Sequence, residues 1–165
     1  MDFALAAVHT IIVTTPQDFI SGYACTKAAF YRFKEIEERL DKKFSNYEPQ
    51  WIFSPMLLIN QVNNLRQGFK FFNAFIKAAN GKINSREGKF RIEAEYLGAI
   101  PYEKVALRAA ESKKRPLLLR APRAKSAQSI QHMSTRFYYP DATYDPRVMF
   151  RQPLARFAAI LSQKN

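Results

Sequence analysis

The 165-residue sequence predicts an α/β fold in which a mostly parallel sheet is flanked by helices. Short apolar runs alternate along the chain with longer segments of helical period, an order typical of parallel βαβ units with right-handed crossovers. The run Met56–Ile59 is apolar at every position, as expected for a strand that is buried on both faces. A content of 47% hydrophobic residues is too apolar for a disordered chain, so these elements are expected to share a core.

The first predicted strand, HTIIVTT, stops at Pro16. The helix after it begins near Asp18 or Ser21, because either side chain can cap a helix. The second predicted strand, WIFSPMLLINQV, contains the apolar run and then the polar pair Asn60–Gln61. Residues 9–62 are therefore predicted to form a strand, a helix and a second strand.

The next helix carries an apolar stripe at helical spacing and is predicted to end at Asn80–Gly81. The stripe consists of Leu65, Phe69, Phe72, Ile76 and Ala79, and it is expected to be buried. The segments that follow predict a third strand, FRIEAEYLGAIP, a helix, EKVALRAAESKKR, and a short fourth strand, PLLLRAP. The helix AKSAQSIQHMSTRF completes the alternation, with Ile130 and Met133 on its buried side.

A loop-like stretch with two prolines, YYPDATYDPR, marks the predicted boundary of the α/β domain. We assign residues 1–139 to that domain and residues 140–165 to a linker and a carboxyl-terminal amphipathic helix. In this tail Leu154, Phe157 and Leu161 form a stripe at helical spacing, and basic residues lie outside the stripe. Such a helix either docks on an anionic membrane or packs back onto its own sheet.

The net charge of +12 is concentrated in the second half of the chain. Beyond Lys104 the only acids are Glu111, Asp141 and Asp145. A basic cluster stands out, made of Lys113, Lys114, Arg115, Arg120, Arg123 and Lys125. This asymmetry predicts a polyanionic partner, either DNA or an anionic membrane surface, although a basic face without a specific partner remains an alternative.

The chemistry-bearing residue types are sparse. His9 and His132 are the only histidines, Cys25 is the only cysteine, and neither type occurs with metal-ligand spacing. No nucleophile, base and orienting acid occur in a recognisable arrangement, so we predict no catalytic and no metal-binding residue. The sequence has no membrane-spanning run and no recognisable leader. Because the single Cys25 cannot form an internal disulfide, a reducing, cytoplasmic location is expected, with peripheral attachment to the inner membrane as a further option.

The three predicted strand endings, TTPQD, LLINQV and EYLGAIPYE, resemble in this order the second half of the MinD/ParA family of deviant P-loop ATPases. Within that family the sequence is most similar to the regulators of flagellar number. The resemblance runs from about Phe3 to about Phe137. Its most specific part matches the family pattern in register at Gly98, Pro101, Val105, Ala109, Pro116, Pro122, Ser126 and Ala127.

The resemblance implies a partial Rossmann-like P-loop NTPase domain that binds ATP or ADP. Asn60 would bond the adenine edge, and Pro101, Tyr102 and Glu103 would form the loop that packs against the base. Gln17 replaces the usual glutamate after the Thr-Thr-Pro turn, and Glu103 replaces the usual aspartate of the loop. The alternative is that Asn60 only caps a strand and Pro101 only ends one.

In the intact family the phosphate loop, its lysine and the magnesium-binding residues precede the matching region. The resemblance therefore implies the carboxyl half of an ATPase, separated from a missing amino-terminal half and inactive alone. The intact family switches between an ATP-bound dimer and an ADP-bound monomer to position cellular structures. Because the HTIIVTT strand lies beside the phosphate-loop strand in the family, its unpaired edge predicts self-association. A basic nucleic-acid-binding module without nucleotide chemistry, or a peripheral membrane protein, is the alternative function.

Overall fold

The computed structural model describes residues 10–84 and 88–138, with side chains as far as residue 134. It has the predicted α/β fold, a small parallel sheet flanked by helices. In chain order the elements are β1 (Ile11–Thr14), α1 (Phe19–Lys43), β2 (Ile52–Phe53), β3 (Met56–Val62), α2 (Leu65–Lys82), β4 (Arg91–Ile92), β5 (Glu95–Pro101), α3 (Lys104–Ser112), α4 (Leu117–Arg120) and α5 (Lys125–Tyr138).

The main sheet has the strand order β1-β3-β5, and both of its pairings are parallel. The short strands β2 and β4 also pair in parallel; β2 directly precedes β3 in the chain, and β4 directly precedes β5. The two ladders are connected by a hydrogen bond, in which Glu95 N–H donates to the Pro55 carbonyl at 2.9 Å. The second and third predicted strands are thus each divided in two. The first division falls at Pro55, which has no N–H to donate to a neighbouring strand.

One face of the sheet is covered by α1 and α2. Phe75 of α2 is 1% exposed and packs in one cluster with Leu57 of β3 and with Phe30 and Phe33 of α1. A smaller cluster unites three buried residues near the carboxyl ends of the strands, Ile59, Val62 and Ala99. These apolar contacts fix α2 beneath the two strands that carry the candidate site.

The predicted burial of the α2 stripe is wrong at the amino-terminal end of the helix. Leu65 and Phe69 are 55% and 52% exposed, whereas Phe75, absent from the predicted stripe, is the most buried side chain of the helix. The helix also continues to Lys82, beyond the predicted stop at Asn80–Gly81. The Phe69 ring contacts the rings of Tyr96 and Phe72, at centroid distances of 5.6 and 6.4 Å, and remains partly exposed.

The opposite face of β5 is covered by α5. Gly98 has a φ of +155°, and a Cβ at this position would lie 2.6 Å from the Met133 sulfur. Leu97 is an extra residue in β5, because Leu57 stands opposite Tyr96 and Leu58 opposite Gly98. Glycine therefore allows the helix to approach the bulged strand closely. The predicted burial of Met133 is confirmed.

The β1 strand lies at the edge of the sheet. Ile12 and Thr14 are buried, whereas Ile11 and Val13 are 41% and 56% exposed. Strand β1 and helix α1 meet at Gly22, where a Cβ would lie 2.3 Å from Thr14 Oγ1. Among the described residues, β1 is thus packed by a helix on one face only.

The predicted fourth strand, PLLLRAP, is wrong. Leu117–Arg120 forms the single helical turn α4, in which the N–H groups of Leu119 and Arg120 both donate to the Pro116 carbonyl at 3.0 Å. Pro116 has the backbone angle that a helical first turn needs and lacks the N–H that a ladder needs. A second proline, Pro122, follows the turn.

Two predictions about membranes and domain limits have different outcomes. Within residues 10–84 and 88–138, no helix is long and apolar enough to cross a bilayer. The boundary near residue 139 and the amphipathic tail, including Leu154, Phe157 and Leu161, lie outside the described residues. Their structure stays a prediction.

Candidate functional site

The carboxyl ends of the three parallel strands lie at one edge of the sheet, which is where ligands bind in open α/β folds. Thr14 stands opposite Ile59 across the β1–β3 ladder, and Asn60 stands opposite Ile100 across the β3–β5 ladder. The three strand endings that the sequence analysis singled out are therefore neighbours in space.

Asn60 and Gln61 form a bulge at the end of the central strand. Val62 stands opposite Pro101, so Gln61 has no residue opposite it on β5. Its φ of 58° lies in the left-handed region, a strained conformation for a residue with a Cβ. Gln61 N–H donates to Asn60 Oδ1 at 2.9 Å and so holds the half-buried Asn60 amide in one orientation. The amide nitrogen of Asn60 makes no hydrogen bond within the described residues.

The TTPQD turn joins β1 to α1 through its hydroxyl groups. Thr14 Oγ1 donates to the Asp18 carbonyl at 3.1 Å, and Asp18 N–H donates to Thr15 Oγ1 at the same distance. Asp18 directly precedes α1, as predicted, but its own side chain makes no capping hydrogen bond. Gln17 is exposed on the turn. Both threonines thus stabilise the turn, and the side chains of Gln17 and Asp18 are accessible on it.

Pro101 and Tyr102 end β5 beside this bulge. Pro101 is buried, and Tyr102 N–H donates to the Val62 carbonyl at 2.9 Å. The Tyr102 side chain is 52% exposed. The exposed Tyr102 ring is thus attached to a backbone that this hydrogen bond fixes, at the end of the strand next to that of Asn60.

The Glu103 carboxylate makes its hydrogen bonds to the start of α5. Both the backbone N–H and the hydroxyl of Ser126 donate to Glu103 Oε2 at 2.7 Å. These hydrogen bonds, first that from the backbone N–H and then that from the hydroxyl, lower the pKa of Glu103 below its ordinary value of 4.5, and nearby Lys125 adds to the effect. A carboxylate at a helix amino terminus also interacts favourably with the helix dipole. Glu103 thus connects the loop after β5 to α5.

The six cations of the basic cluster are all exposed. They follow one another from the end of α3, through α4, to the start of α5. The ion pairs of the described residues join side chains of α1, Arg32 and Arg39 to Glu35 and Lys34 to Glu38, and none involves the basic cluster. The positive charge of the cluster is therefore not neutralised by an ion pair in this part of the chain.

Two cavities lie at the other end of the strands. One, of about 510 Å³, is lined by residues such as Asn80, Asn84 and Arg91, and the other, of about 270 Å³, by residues such as Glu38 and Trp51. Asn84 uses its amide to bond both the N–H and the carbonyl of Ile92, which explains its position in structural terms. We place the candidate site at the carboxyl edge because Asn60, Gln17 and Tyr102 lie there and ligands bind at this edge in open α/β folds.

Sequence reasoning missed three features of this edge. The left-handed Gln61 could have been suspected from a polar pair interrupting an apolar strand. The hydrogen bonds of Ser126 to Glu103 depend on two segments that are 23 residues apart, and the contact of Gly22 with Thr14 depends on helix packing. No local pattern carries either of these.

No protein-family model matches this chain, and no curated protein is significantly similar to it. In the part of the chain that the structure describes, no group of three or more His, Cys, Asp or Glu side chains could hold a metal ion. The strand ends and the exposed surfaces are therefore the features of this chain that bear on its function.

Proposed function

We propose that this chain supplies the adenine-binding side of a nucleotide-binding α/β domain of the MinD/ParA type. The observation that carries the proposal is the bulge at the end of β3, which holds the Asn60 amide in one orientation, while the neighbouring strand β5 leads into the exposed Tyr102. The strand order β1-β3-β5 supports it, because it brings the three family-like strand endings to one edge of the sheet.

The Asn60 amide has the hydrogen-bonding groups that adenine requires. A carboxamide can bond the adenine edge through two contacts, its oxygen accepting from the exocyclic amine and its nitrogen donating to a ring nitrogen. Asn60 Oδ1 already accepts from Gln61 N–H but retains a second lone pair, and its amide nitrogen makes no hydrogen bond within the described residues. Guanine has a carbonyl where adenine has the amine, so Asn60 would favour adenine.

Tyr102 would supply the apolar contact to the base. Stacking of a base on an aromatic side chain contributes about 1 to 3 kcal/mol. The Glu103 carboxylate, which is hydrogen-bonded to Ser126, would hold the loop in place rather than contact the ligand. This role differs from the one that the family resemblance implied for Glu103.

Phosphate binding and hydrolysis would require groups from outside these 165 residues, since the sequence contains no glycine-rich phosphate loop. On this proposal the chain binds ATP and ADP weakly, alone hydrolyses neither, and belongs to a nucleotide-dependent dimerising switch that positions a cellular structure. The flagellar role rests on the resemblance of the strand endings alone.

Calorimetric titration of the chain with adenosine, ATP plus magnesium, and guanosine tests the proposal. We expect adenosine and ATP to bind with similar millimolar affinity and guanosine not to bind. Asn60→Ala should lower the affinity about tenfold or more, in line with one lost bidentate contact. Asn73→Ala, which changes an exposed asparagine of α2, is the matched control and should have no effect.

Absence of adenosine binding, or equal binding by wild type and Asn60→Ala, would contradict the proposal. ATP turnover that Asn60→Ala abolishes would contradict the assignment of the chemistry to groups outside the chain.

A further inference from the structure

The helical turn α4 exposes two leucines in the middle of the basic cluster. Leu118 is 42% exposed and Leu119 is 75% exposed, whereas Leu117 is half-buried. The turn is bounded by Pro116 and Pro122, and its N–H groups bond the Pro116 carbonyl. A helical turn places consecutive side chains about 100° apart, so one leucine faces inward while the next two face outward. The two exposed leucines are thus a consequence of the local fold.

Cations flank these leucines along the chain, although one of them, Lys125, lies near the Glu103 carboxylate. Six lysines and arginines occur between residues 113 and 125, and no acid occurs between Ser112 and Pro140. Helix α4 contacts both α3 and α5, so the elements that bear these cations are packed together. Within the described residues no ion pair involves any of the six.

We propose that this α4 surface, made of Leu118, Leu119 and the basic cluster, docks on an anionic lipid bilayer. Lysine and arginine side chains would bind the headgroup phosphates, and the two leucines would enter the boundary between headgroups and acyl chains. Adjacent apolar and cationic side chains are the composition of surfaces that lie on anionic membranes. The residues of this surface are different from those proposed to contact adenine.

The leucines favour a bilayer over a nucleic acid. Phosphate contacts on DNA need cations and hydrogen-bond donors, and a pair of exposed leucines adds nothing to them. The composition of the surface favours a bilayer over a protein partner. Two exposed leucines lie among six exposed cations, which matches an extended anionic layer with an apolar interior.

The expected magnitudes follow from the two kinds of side chain. Each lysine or arginine near an anionic surface strengthens binding about fivefold, so three of them account for roughly a hundredfold. The two leucines, only partly inserted, are expected to add roughly tenfold more. Both contributions are required for firm binding, and only the first depends strongly on salt.

The test is co-sedimentation of the full chain with vesicles of phosphatidylcholine and phosphatidylglycerol, compared with phosphatidylcholine alone. We expect binding to the anionic vesicles only. The double variant Leu118→Ser/Leu119→Ser should lower binding roughly tenfold, and the triple variant Lys113→Glu/Lys114→Glu/Arg115→Glu should lower it at least about a hundredfold. The matched control Arg66→Glu/Lys70→Glu/Lys77→Glu has the same change in charge on exposed positions of α2 and should retain most of the binding.

Thermal unfolding followed by circular dichroism verifies that each variant is folded. Fluorescence anisotropy with duplex DNA of arbitrary sequence measures binding to DNA, the alternative occupant of this surface. The proposal is overturned if wild type and Leu118→Ser/Leu119→Ser bind anionic vesicles equally. It is also overturned if wild type binds the DNA but not the vesicles. Loss of vesicle binding in the leucine variant, together with unchanged DNA binding, supports the bilayer as the occupant of this surface.

Discussion

The two outer strands of the sheet, β5 and β1, differ in the number of faces that helices cover. Among the described residues, β5 has α2 on one face and α5 on the other. The β1 strand has α1 on one face, and on the other face Ile11 and Val13 are 41% and 56% exposed. Both strands pair with β3, so the difference lies in side-chain packing rather than in backbone hydrogen bonds.

This difference implies a gradient of stability across the sheet. Regions with many buried apolar contacts open only with the whole fold, whereas sparsely packed edges open locally at a lower free energy. We therefore expect the β3–β5 side to determine global stability and the β1 side to exchange its amide protons sooner. The following substitutions challenge this gradient, in decreasing order of expected effect.

Phe75→Ala removes the side chain at the centre of the well-packed half. We expect the free energy of unfolding to fall by about 3 to 5 kcal/mol, because a cavity is left among residues that cannot collapse into it. Phe69→Ala, on the same helix but 52% exposed, is the matched control and should cost less than about 1 kcal/mol. Urea unfolding measures both. Equal costs for the two variants would contradict the burial difference on which the gradient rests.

Gly22→Ala tests the packing of α1 on β1. The new methyl group would lie 2.3 Å from Thr14 Oγ1, so α1 must move away from β1 or Thr14 must change rotamer. The expected cost is about 1 to 3 kcal/mol. At Gly81 nothing lies within 4 Å of the position that a methyl group would occupy, so Gly81→Ala should stabilise the helix by about 0.5 to 1 kcal/mol. The same change at two helical glycines thus has opposite signs, which thermal unfolding can measure.

Glu103→Gln removes the carboxylate that bonds the start of α5, the helix that covers β5. A loss of about 1 kcal/mol is expected at neutral pH, typical of a lost helix cap. Because the pKa of Glu103 is lower in the folded chain than its ordinary value of 4.5, the carboxylate stabilises the fold above pH 4.5, and this contribution disappears as the pH falls through the folded pKa. Stability curves of wild type and variant should therefore converge in acid. A difference that stays constant down to about pH 3, well below the ordinary pKa of a glutamate, would show that the charge has no role.

Val13→Lys places a charge on the uncovered face of β1. Since Val13 is 56% exposed, the stability should change by less than about 0.5 kcal/mol. Self-association is expected to respond more strongly, because charged side chains on an edge strand oppose pairing with a second copy. Sedimentation velocity at tens of micromolar compares the variant with wild type. A wild-type chain that is monomeric at that concentration would contradict the expected self-association through β1.

The sequence pattern was sufficient for the parallel strands β1, β3 and β5 and for the long helices between them. A continuous apolar run and a 3.6-residue period are local features of the sequence, and the strands and helices that they predict are present in the structure. The pattern failed at Leu117–Arg120, where three leucines suggested a strand but two flanking prolines imposed a helical turn. It also failed at Leu65 and Phe69, which have the helical spacing of a buried stripe but are 55% and 52% exposed.

For the candidate site, the resemblance of the strand endings to a known family suggested Asn60, Pro101 and Tyr102, and the parallel topology brings these strand endings to one edge. The hydrogen bonds of Glu103 to Ser126 were beyond prediction, since they depend on how the loop after β5 meets α5. Local sequence thus indicated which side chains reach the edge, and tertiary packing determines which of them remain available to a ligand.

The extra residue Gln61 has a consequence for insertions and deletions. In a regular strand, residues three apart point to opposite faces, yet Ile59 and Val62 share one core cluster because the bulge shifts the alternation by one position. Deleting Gln61 would turn Val62 toward solvent and rotate the cap of α2, where Asn64 accepts from Gln67 N–H at 2.9 Å. Replacing Gln61 with glycine would instead keep the spacing and relieve its left-handed backbone. At this position the length of the segment is constrained more strongly than the identity of the residue.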